Sequence, residues 1–213
     1  MQRLKFFVCC LTVGVLGCEG AAIPSGPWWK PLEHDDDFFG GSFTVTSSSD
    51  AVHISKYRTV SVALYVTAPG LVTLSLPELS SVGVTLAVQD NDALTSIELP
   101  ALTLVPWLRF RDNEALTSIQ LPMLAEVHSV SIEINQVLTN IELPALTGVH
   151  GLLIEGNEAL TNIELPALTT EISWLIVRNN ESLCQSIVDS IVARLREEGW
   201  TGEVWSGNNK PDC

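Results

Sequence analysis

Basic residues are scarce in this chain. Its 213 residues include 11 lysines and arginines against 25 aspartates and glutamates, and the formal net charge is −14. Proteins that bind nucleic acid or anionic lipid headgroups depend on positive charge, so both are poor candidate partners. Apolar residues nevertheless make up 46% of the chain, which argues against intrinsic disorder and favours one folded domain with a sizeable core.

The apolar run near the start of the sequence is too short to cross a membrane. The run from Phe6 to Leu16 has 11 residues, whereas a transmembrane helix needs about 20. Because basic residues precede this run and small residues follow it, the pattern predicts a secretory signal peptide over residues 1–17.

The four residues 15–18, Val-Leu-Gly-Cys, resemble the lipobox of bacterial lipoproteins. The resemblance implies cleavage before Cys18, acylation of its thiol and attachment to a membrane through the acyl chains. Glu19, in place of aspartate, then implies the outer membrane of a bacterial cell envelope, where the protein could be exposed at the surface. The alternative is that Cys18 is a leader cysteine and that cleavage near residues 21–22 releases a soluble secreted protein.

Cysteine is rare, with five in the chain. Cys9 and Cys10 leave with the signal peptide and Cys18 is acylated, which leaves two in an oxidising compartment. We therefore predict a disulfide between Cys184 and Cys213, with two free thiols as the alternative. On the chain-entropy estimate, such a bridge stabilises the fold by about 3 to 4 kcal/mol.

Residues 18–41 combine prolines, glycines and an acidic run without a sustained period, and they predict a disordered, lipidated tether. Within it, residues 34–37 read His-Asp-Asp-Asp. Consecutive side chains on a flexible segment cannot all converge on one ion, so a solvated acidic spacer is the favoured interpretation.

Beyond the tether one phrase recurs, Leu-Thr-(Ser/Asn)-Ile-(Glu/Gln)-Leu-Pro-x-Leu, with a period of 22 or 23 residues. Its prolines are Pro77, Pro100, Pro122, Pro144 and Pro166, and its asparagines are Asn91, Asn113, Asn135, Asn157 and Asn180. Each repeat contains two short alternating segments, such as 141–143 and 152–154, and so predicts one coil with two strands. The prolines then mark one corner and the asparagines a second, where each amide bonds the backbone of the next coil.

Residues 42–181 are therefore predicted to form a mostly β domain, a right-handed parallel-β or leucine-rich-repeat-like solenoid of about six coils. Residues 182–213 predict its C-terminal cap: an amphipathic helix from about Leu183 to Glu198, stopped by Gly199, and a disulfide-linked tail. Ser182 and Gln185 are expected to form a capping box at the start of this helix.

The coils, with Leu-x-Ile-x-x-Asn and Ile-x-Leu-Pro-x-Leu strands, resemble the leucine-rich solenoid of receptor L domains over about residues 43–183. The resemblance implies a domain that binds or scaffolds and is not an enzyme. It transfers no ligand-binding residue, because no matching ligand loop is present.

Catalytic motifs are missing too. There is no Gly-x-Ser-x-Gly elbow and no phosphate loop, so we expect neither enzyme activity nor a cofactor. His128 and His150 occupy the same column one repeat apart, but Pro106 and Ser173 flank them and leave no third ligand in register. We therefore expect no metal site.

The outward columns of the two predicted sheets differ in chemistry. One stacks Glu98, Gln120, Glu142 and Glu164, whose repulsion is relieved by solvent or, alternatively, by calcium or a basic partner. The other concentrates aromatic and basic side chains, and its candidate binding surface consists of Trp107, Arg109, Arg111, Glu133, Glu155, Trp174 and Arg178. The alternative is that these side chains only cover the sheet, with the tail folding over Trp174.

These features favour a non-catalytic cell-surface lipoprotein that binds an unknown protein or glycan. A structural envelope component whose repeats act as spacers or stack on identical copies is the alternative. A polysaccharide-acting β-solenoid enzyme is a third and weaker hypothesis.

Overall fold

The computed structural model describes residues 37–211 and residue 213. These residues form sixteen strands and two helices. In chain order they are β1 (Phe38–Phe39), β2 (Phe43–Val45), α1 (Ser48–Ile54), β3 (Thr59–Val60), β4 (Ala63–Val66), β5 (Thr73–Ser75), β6 (Ser81–Val82), β7 (Thr85–Gln89), β8 (Ser96–Glu98), β9 (Trp107–Arg111), β10 (Ser118–Gln120), β11 (Glu126–Glu133), β12 (Asn140–Glu142), β13 (Gly148–Glu155), β14 (Asn162–Glu164), β15 (Trp174–Arg178), α2 (Gln185–Glu197) and β16 (Glu203–Gly207).

The strands stack in parallel into a solenoid of about six turns, which confirms the fold predicted from the repeat. The largest sheet has eight strands in the order β16-β15-β13-β11-β9-β7-β4-β2. From β2 to β15, consecutive strands of this sheet come from consecutive coils. One repeat of the sequence returns the chain to the same face of the solenoid.

Each coil has three strand positions where the sequence predicted two. The segments before the prolines form the sheets β5-β8 and β10-β12-β14, as predicted. The third position is the short sheet β1-β3-β6, which continues through single parallel bridges from Ser81 to Leu104 and from Leu104 to Glu126. A segment of one or two residues is too short to show an alternating pattern, and for that reason the third strand position was not predicted.

One continuous apolar core runs the length of the solenoid. The predicted inward columns are buried, with exposures of 0 to 2% for Leu86, Leu108, Val130, Leu152, Leu175, Val88, Phe110, Ile132, Ile154 and Val177. Burying these side chains against those of the next coil is the main stabilising contribution available to a repeat that has no core of its own.

Buried asparagines form one corner of the coils from the one that contains β7 onward, as predicted. The Asn135 side chain shows the pattern: its Oδ1 accepts from the main-chain N–H of Asn113 at 3.2 Å, and its Nδ2 donates to the carbonyl of Phe110 at 3.2 Å. The amides thus bond to the backbone of the preceding coil, not to that of the next one as expected; towards the next coil, Nδ2 of Asn135 donates to the amide oxygen of Asn157 at 3.1 Å. A sixth member, Asn209, accepts from the N–H of Asn180 at 3.2 Å and extends this asparagine ladder into the cap.

The residue before each ladder asparagine has a left-handed backbone. These residues are Asp90, Asp112, Ile134, Gly156, Asn179 and Asn208, with φ between 50° and 69°. Glycine, asparagine and aspartate tolerate this conformation, whereas a β-branched side chain is strained in it. Ile134, at φ 55°, is therefore a strained exception.

The solenoid begins earlier than predicted. Strand β1 lies inside the stretch expected to be a disordered tether up to residue 41, and it pairs with β3 in parallel register. The ring of Phe39 packs edge-on against Phe43 and Tyr57, with centroids 5.1 and 5.4 Å apart. These contacts between separate segments order residues that show no local period.

Helix α1 closes the N-terminal end and was not predicted. Ser47 caps it by accepting from the N–H of Asp50 at 3.3 Å, while the Asp50 carboxylate accepts from the N–H of Thr46 at 3.0 Å. The hydrogen bonds from Thr46 and Ser47 lower the pKa of Asp50, the backbone bond from Thr46 contributing most. Ala51 and Ile54 are buried against the first coil.

Helix α2 closes the C-terminal end, where the helical spacing predicted it. Val188 and Leu195 are buried against the last coil, and Gly199, at φ 96°, follows the helix as expected. The predicted capping box was wrong: the N-cap is Cys184, without a side-chain cap. The N–H of Gln185 already donates to the carbonyl of Lys210 at 2.8 Å.

The tail is an ordered part of the solenoid. A disulfide joins Cys184 and Cys213, as predicted, with their Cα atoms 6.0 Å apart. Strand β16, which the sequence did not predict, pairs with β15 and extends the large sheet by one strand. The buried Trp200 and the guanidinium of Arg196, whose Cζ lies 4.3 Å from the indole centroid, fix the turn between α2 and β16.

In the described part of the chain no helix is both long enough and apolar enough to span a membrane. Cys18, the signal peptide and most of the expected tether lie outside the described residues, so the lipid anchor stays a prediction.

Candidate binding surface

The outer face of the eight-stranded sheet carries all seven residues of the predicted binding surface. Register places Trp107 and Trp174 in one column with Ser129 and Gly151 between them. The second column from it, beyond that of Arg109, runs through Arg111, Glu133, Glu155 and Arg178. Since parallel strands lie about 4.8 Å apart, the two tryptophans are separated by about 14 Å.

The charged residues of this face neutralise one another. Glu133 is bracketed by Arg109 and Arg111, at 3.4 and 3.5 Å. Glu155 receives two hydrogen bonds from Arg178, at 2.9 and 3.1 Å. Charge pairing across neighbouring coils therefore orders long side chains that would otherwise move freely.

Arg111 has a second partner in Asp112, whose carboxylate accepts from Nε at 2.9 Å. This hydrogen bond is the main cause that raises the pKa of Arg111, with the charges of Glu133 and Asp112 adding to it. Arg111 stays charged under all conditions relevant to binding, and its position is fixed from two sides.

Trp174 is less available than the sequence predicted. Its indole lies over Gly151 so closely that a methyl group on Gly151 would overlap the ring. The side chain is only partly exposed, and β16 pairs along the other side of its strand. The tail thus lies beside the strand of Trp174 as a paired strand, not over its indole as the alternative expected, and the indole itself packs on Gly151.

Trp107 stands in contrast, with 48% of its surface exposed. Beside it is a hollow of about 350 Å³ lined by Thr85, Trp107, Leu108, Arg109, Ser129, Ser131 and Glu133. An exposed aromatic ring next to a guanidinium, a carboxylate and hydroxyls combines apolar contact with directional hydrogen bonding, as binding sites usually do. Trp107 is therefore the centre of the candidate surface.

Two further aromatic residues lie on the same face and escaped the sequence analysis. Tyr65 on β4 is 41% exposed and Trp205 on β16 is 47% exposed. They share one column with Arg109 in the sheet register. Tyr65 could have been found by extending the repeat register upstream, whereas Trp205 depends on a strand that lies outside the repeat.

The glutamate column on the opposite, proline-bearing side of the coils is also present. Gln120, Glu142 and Glu164 are in direct register. Amide and hydroxyl groups relieve their repulsion: Ser75 donates to Glu98 at 2.7 Å, Gln120 to Glu142 at 3.2 Å and Asn162 to Glu164 at 3.0 Å. This stripe thus has internal partners as well as solvent.

The histidine column lies where one edge of the large sheet turns towards the third strand position. The rings of His128 and His150 are stacked, 4.9 Å apart and 7° from parallel. Trp107 packs edge-on against His128 at 4.8 Å, and Ser173 Oγ is 3.0 Å from Nδ1 of His150. Within the described residues no group of three or more histidine, cysteine, aspartate or glutamate side chains could hold a metal ion.

Comparison of the chain with protein-family models, with curated proteins and with solved structures found no match in any of the three. The candidate surface must therefore be interpreted from its own geometry and chemistry.

Proposed function

We propose that the chain is a cell-surface lipoprotein whose solenoid is a non-catalytic binding module for a protein or a glycan. The hollow beside Trp107, on the outer face of the eight-stranded sheet, is the centre of recognition. The observation that carries this proposal is the half-exposed indole of Trp107 beside the bracketed pair of Arg109 and Glu133. The envelope location is proposed from the leader and lipobox alone.

Order within this face supports the proposal. Arg109, Arg111 and Glu133 are held by hydrogen bonds between coils, and the strands beneath them belong to one continuous sheet. A partner would lose little side-chain freedom of the module on binding, since the polar groups are already oriented. Large aromatic and arginine side chains are the residue types that most often dominate binding energy.

The same structure supports the two alternative functions, a structural envelope component and a polysaccharide-acting enzyme, less well. Helices α1 and α2 lie in the first and last coils and bury apolar side chains there, so end-to-end stacking of copies would have to use the outer edges of β2 and β16. Carboxyl groups that act as acids in glycoside hydrolysis are usually held in apolar pockets, whereas the glutamates of the proline-bearing side are exposed or half-exposed. We therefore propose binding in preference to assembly or catalysis.

The test uses the full chain with Cys18→Ser, which prevents acylation and keeps the product in solution. Binding of this protein to isolated cell envelopes, to host extracellular matrix and to a glycan panel is compared with that of its Trp107→Ala variant. We expect the loss of the indole to weaken binding at least about tenfold, as removal of a central aromatic contact usually does. Thermal unfolding should be unchanged because Trp107 is half exposed.

Met123→Ala is the matched control, because it removes an apolar side chain that is 54% exposed on a different part of the same coils. Equal binding by the parent and the Trp107→Ala protein would show that the hollow is not the recognition site.

A further inference from the structure

A second concave site lies around the edge of the large sheet from Trp107. It is a hollow of about 370 Å³ lined by Leu104, Pro106, Glu126, His128, His150 and Glu171, with Val127, Gly148 and Val149 forming the rest of its wall. We call it the Gly148 notch. It spans the starts of β11 and β13 and the corresponding turn of the next coil.

The notch exists because Gly148, which lies in the coil between those of Glu126 and Glu171, has no side chain. A methyl group placed on Gly148 would lie 3.4 Å from Glu171 Oε2 and 3.9 Å from Glu126 Cγ. The two glutamates thus stand on either side of the space that a side chain at residue 148 would fill. Their Cα atoms are two coils apart, about 9.6 Å at the usual strand spacing.

These two carboxylates also differ from Glu133 and Glu155 on the outer face of the large sheet. Glu133 and Glu155 pair with arginines, but among the described residues neither Glu126 nor Glu171 makes a salt bridge. Both side chains are exposed. The notch therefore presents negative charge from two sides to whatever enters it.

A metal ion is a poor occupant of this geometry. The His128 and His150 rings are almost parallel and 4.9 Å apart, so their nitrogen lone pairs point in parallel directions and do not converge on one ion. Calcium requires six to eight oxygen ligands, and the notch offers only two carboxylates. An organic cation needs neither convergence nor a full coordination shell.

We propose that the Gly148 notch binds the ammonium or guanidinium group of a basic side chain of a partner protein. Glu126 and Glu171 form charge-assisted hydrogen bonds with the cation from opposite sides. Leu104, which is 48% exposed, and Pro106 pack along the methylene groups of the incoming side chain. Trp107 does not line the notch, but its ring packs against His128, which does, so the two sites are neighbours that are tested by different variants.

The experiment measures binding of a small probe by NMR. The full chain with Cys18→Ser is titrated with Nα-acetyl-lysine methylamide and, in parallel, with the arginine analogue, while the amide resonance of Gly148 is followed. The matched neutral probe is the same lysine compound acetylated on Nε. We expect the charged probes to shift the Gly148 resonance saturably, and the neutral probe to leave it in place.

Three variants test the design of the site. Glu126→Gln and Glu171→Gln should each weaken binding of the charged probes at least about fivefold, the equivalent of about 1 kcal/mol. Gly148→Leu fills the gap while leaving both carboxylates, and it should abolish the response, which is followed in all proteins through the amide resonances of the neighbouring Val149 and His150 as well. Glu114→Gln removes an exposed carboxylate elsewhere on the solenoid and should have no effect.

Several outcomes would overturn the proposal. Equal weakening by Glu114→Gln, or unchanged binding by Gly148→Leu, would mean that the probes respond only to the overall negative charge of the protein. A shift with the neutral probe as large as with the charged ones would reduce the notch to an apolar hollow. Saturation by calcium chloride at lower concentration than by the amines would assign it to a metal ion instead.

Discussion

Along the asparagine corner the same residue returns at every coil, from Asn91 to Asn180 and again at Asn209. On the outer face of the large sheet, in contrast, one column reads Thr85, Trp107, Ser129, Gly151 and Trp174 and changes at each step. Both lines of residues belong to the same coils. The repeated positions are those that must satisfy the backbone of a neighbouring coil, and the variable positions are those that face solvent.

The difference separates the residues that hold the solenoid together from those free to acquire a binding role. An interior amide that loses its partner leaves buried donors and acceptors unsatisfied, so the coils from Asn91 onward need the same side chain. Outer side chains meet water whatever their type, and departures from the repeat cost little there. Trp107 and Gly148, the centres of the two proposed sites, are both departures of this kind.

Replacing a buried asparagine of the ladder should have the largest effect on stability. Asn135→Ala removes the acceptor for the N–H of Asn113 and the donor to the carbonyl of Phe110. We expect it to lower the free energy of unfolding by about 3 kcal/mol, since buried polar groups lose their partners in a water-free interior. Chemical denaturation followed by circular dichroism measures this.

The matched control for that change is Asn140→Ala, an asparagine that lies half-exposed on β12. Its loss should cost less than about 1 kcal/mol because water replaces its hydrogen bonds. Similar costs for the two variants would contradict the distinction between the corner and the surface.

A smaller but clear effect is expected where the outer face has become packed. Gly151→Ala places a methyl group against the indole of Trp174, which must move. We expect a loss of about 2 kcal/mol, within the usual range for overpacking, and a red shift of tryptophan fluorescence as the ring moves into solvent.

The double variant with Trp174→Ala isolates that contact. In the Trp174→Ala background the additional Gly151→Ala change should cost almost nothing, because the overlapping ring is gone. If the alanine is equally costly in both backgrounds, the close packing of Trp174 on Gly151 is not the reason.

The smallest expected effect is an increase in the free energy of unfolding. Ile134 has a left-handed backbone at a position where Asp90, Asp112, Asn179 and Asn208 stand in other coils. Replacing it by asparagine should raise the free energy of unfolding by about 1 kcal/mol, because the strain of a β-branched residue in this conformation is relieved. Thermal denaturation detects the shift.

Val137→Asn, in the same coil, provides the comparison for this gain. Val137 is 41% exposed and has no left-handed backbone, so the same kind of substitution should be nearly neutral there. A gain at residue 137 as large as at residue 134 would show that polarity, not backbone strain, is responsible.

Much of the fold could be predicted because the sequence repeats. Once the period is recognised, the inward columns, the proline turns and the asparagine corner follow from strand geometry alone. Helix α2 and the Cys184–Cys213 disulfide follow from helical spacing and from the number of cysteines. Ser47-x-x-Asp50 is a comparable local signal for the start of α1, so this helix too could have been predicted.

The elements outside the repeat were harder to predict. Strands β1 and β16 are held by pairing with distant strands, and nothing in their own residues distinguishes them from a tether or a tail. The sequence predicted which residues form the candidate surface, but not which of them are open to a partner. The sequence treats Trp107 and Trp174 alike, whereas packing on Gly151 and pairing with β16 leave only Trp107 open.

The sequence by itself determined the period, the core columns and the disulfide, because each depends on spacing along the chain. The tertiary structure alone decided which outer side chains neutralise each other, which tryptophan stays exposed and that Gly148 leaves a gap between Glu126 and Glu171. Those properties depend on distances between side chains that are 22 or more residues apart, and a one-residue difference in register or one missing side chain is enough to change them.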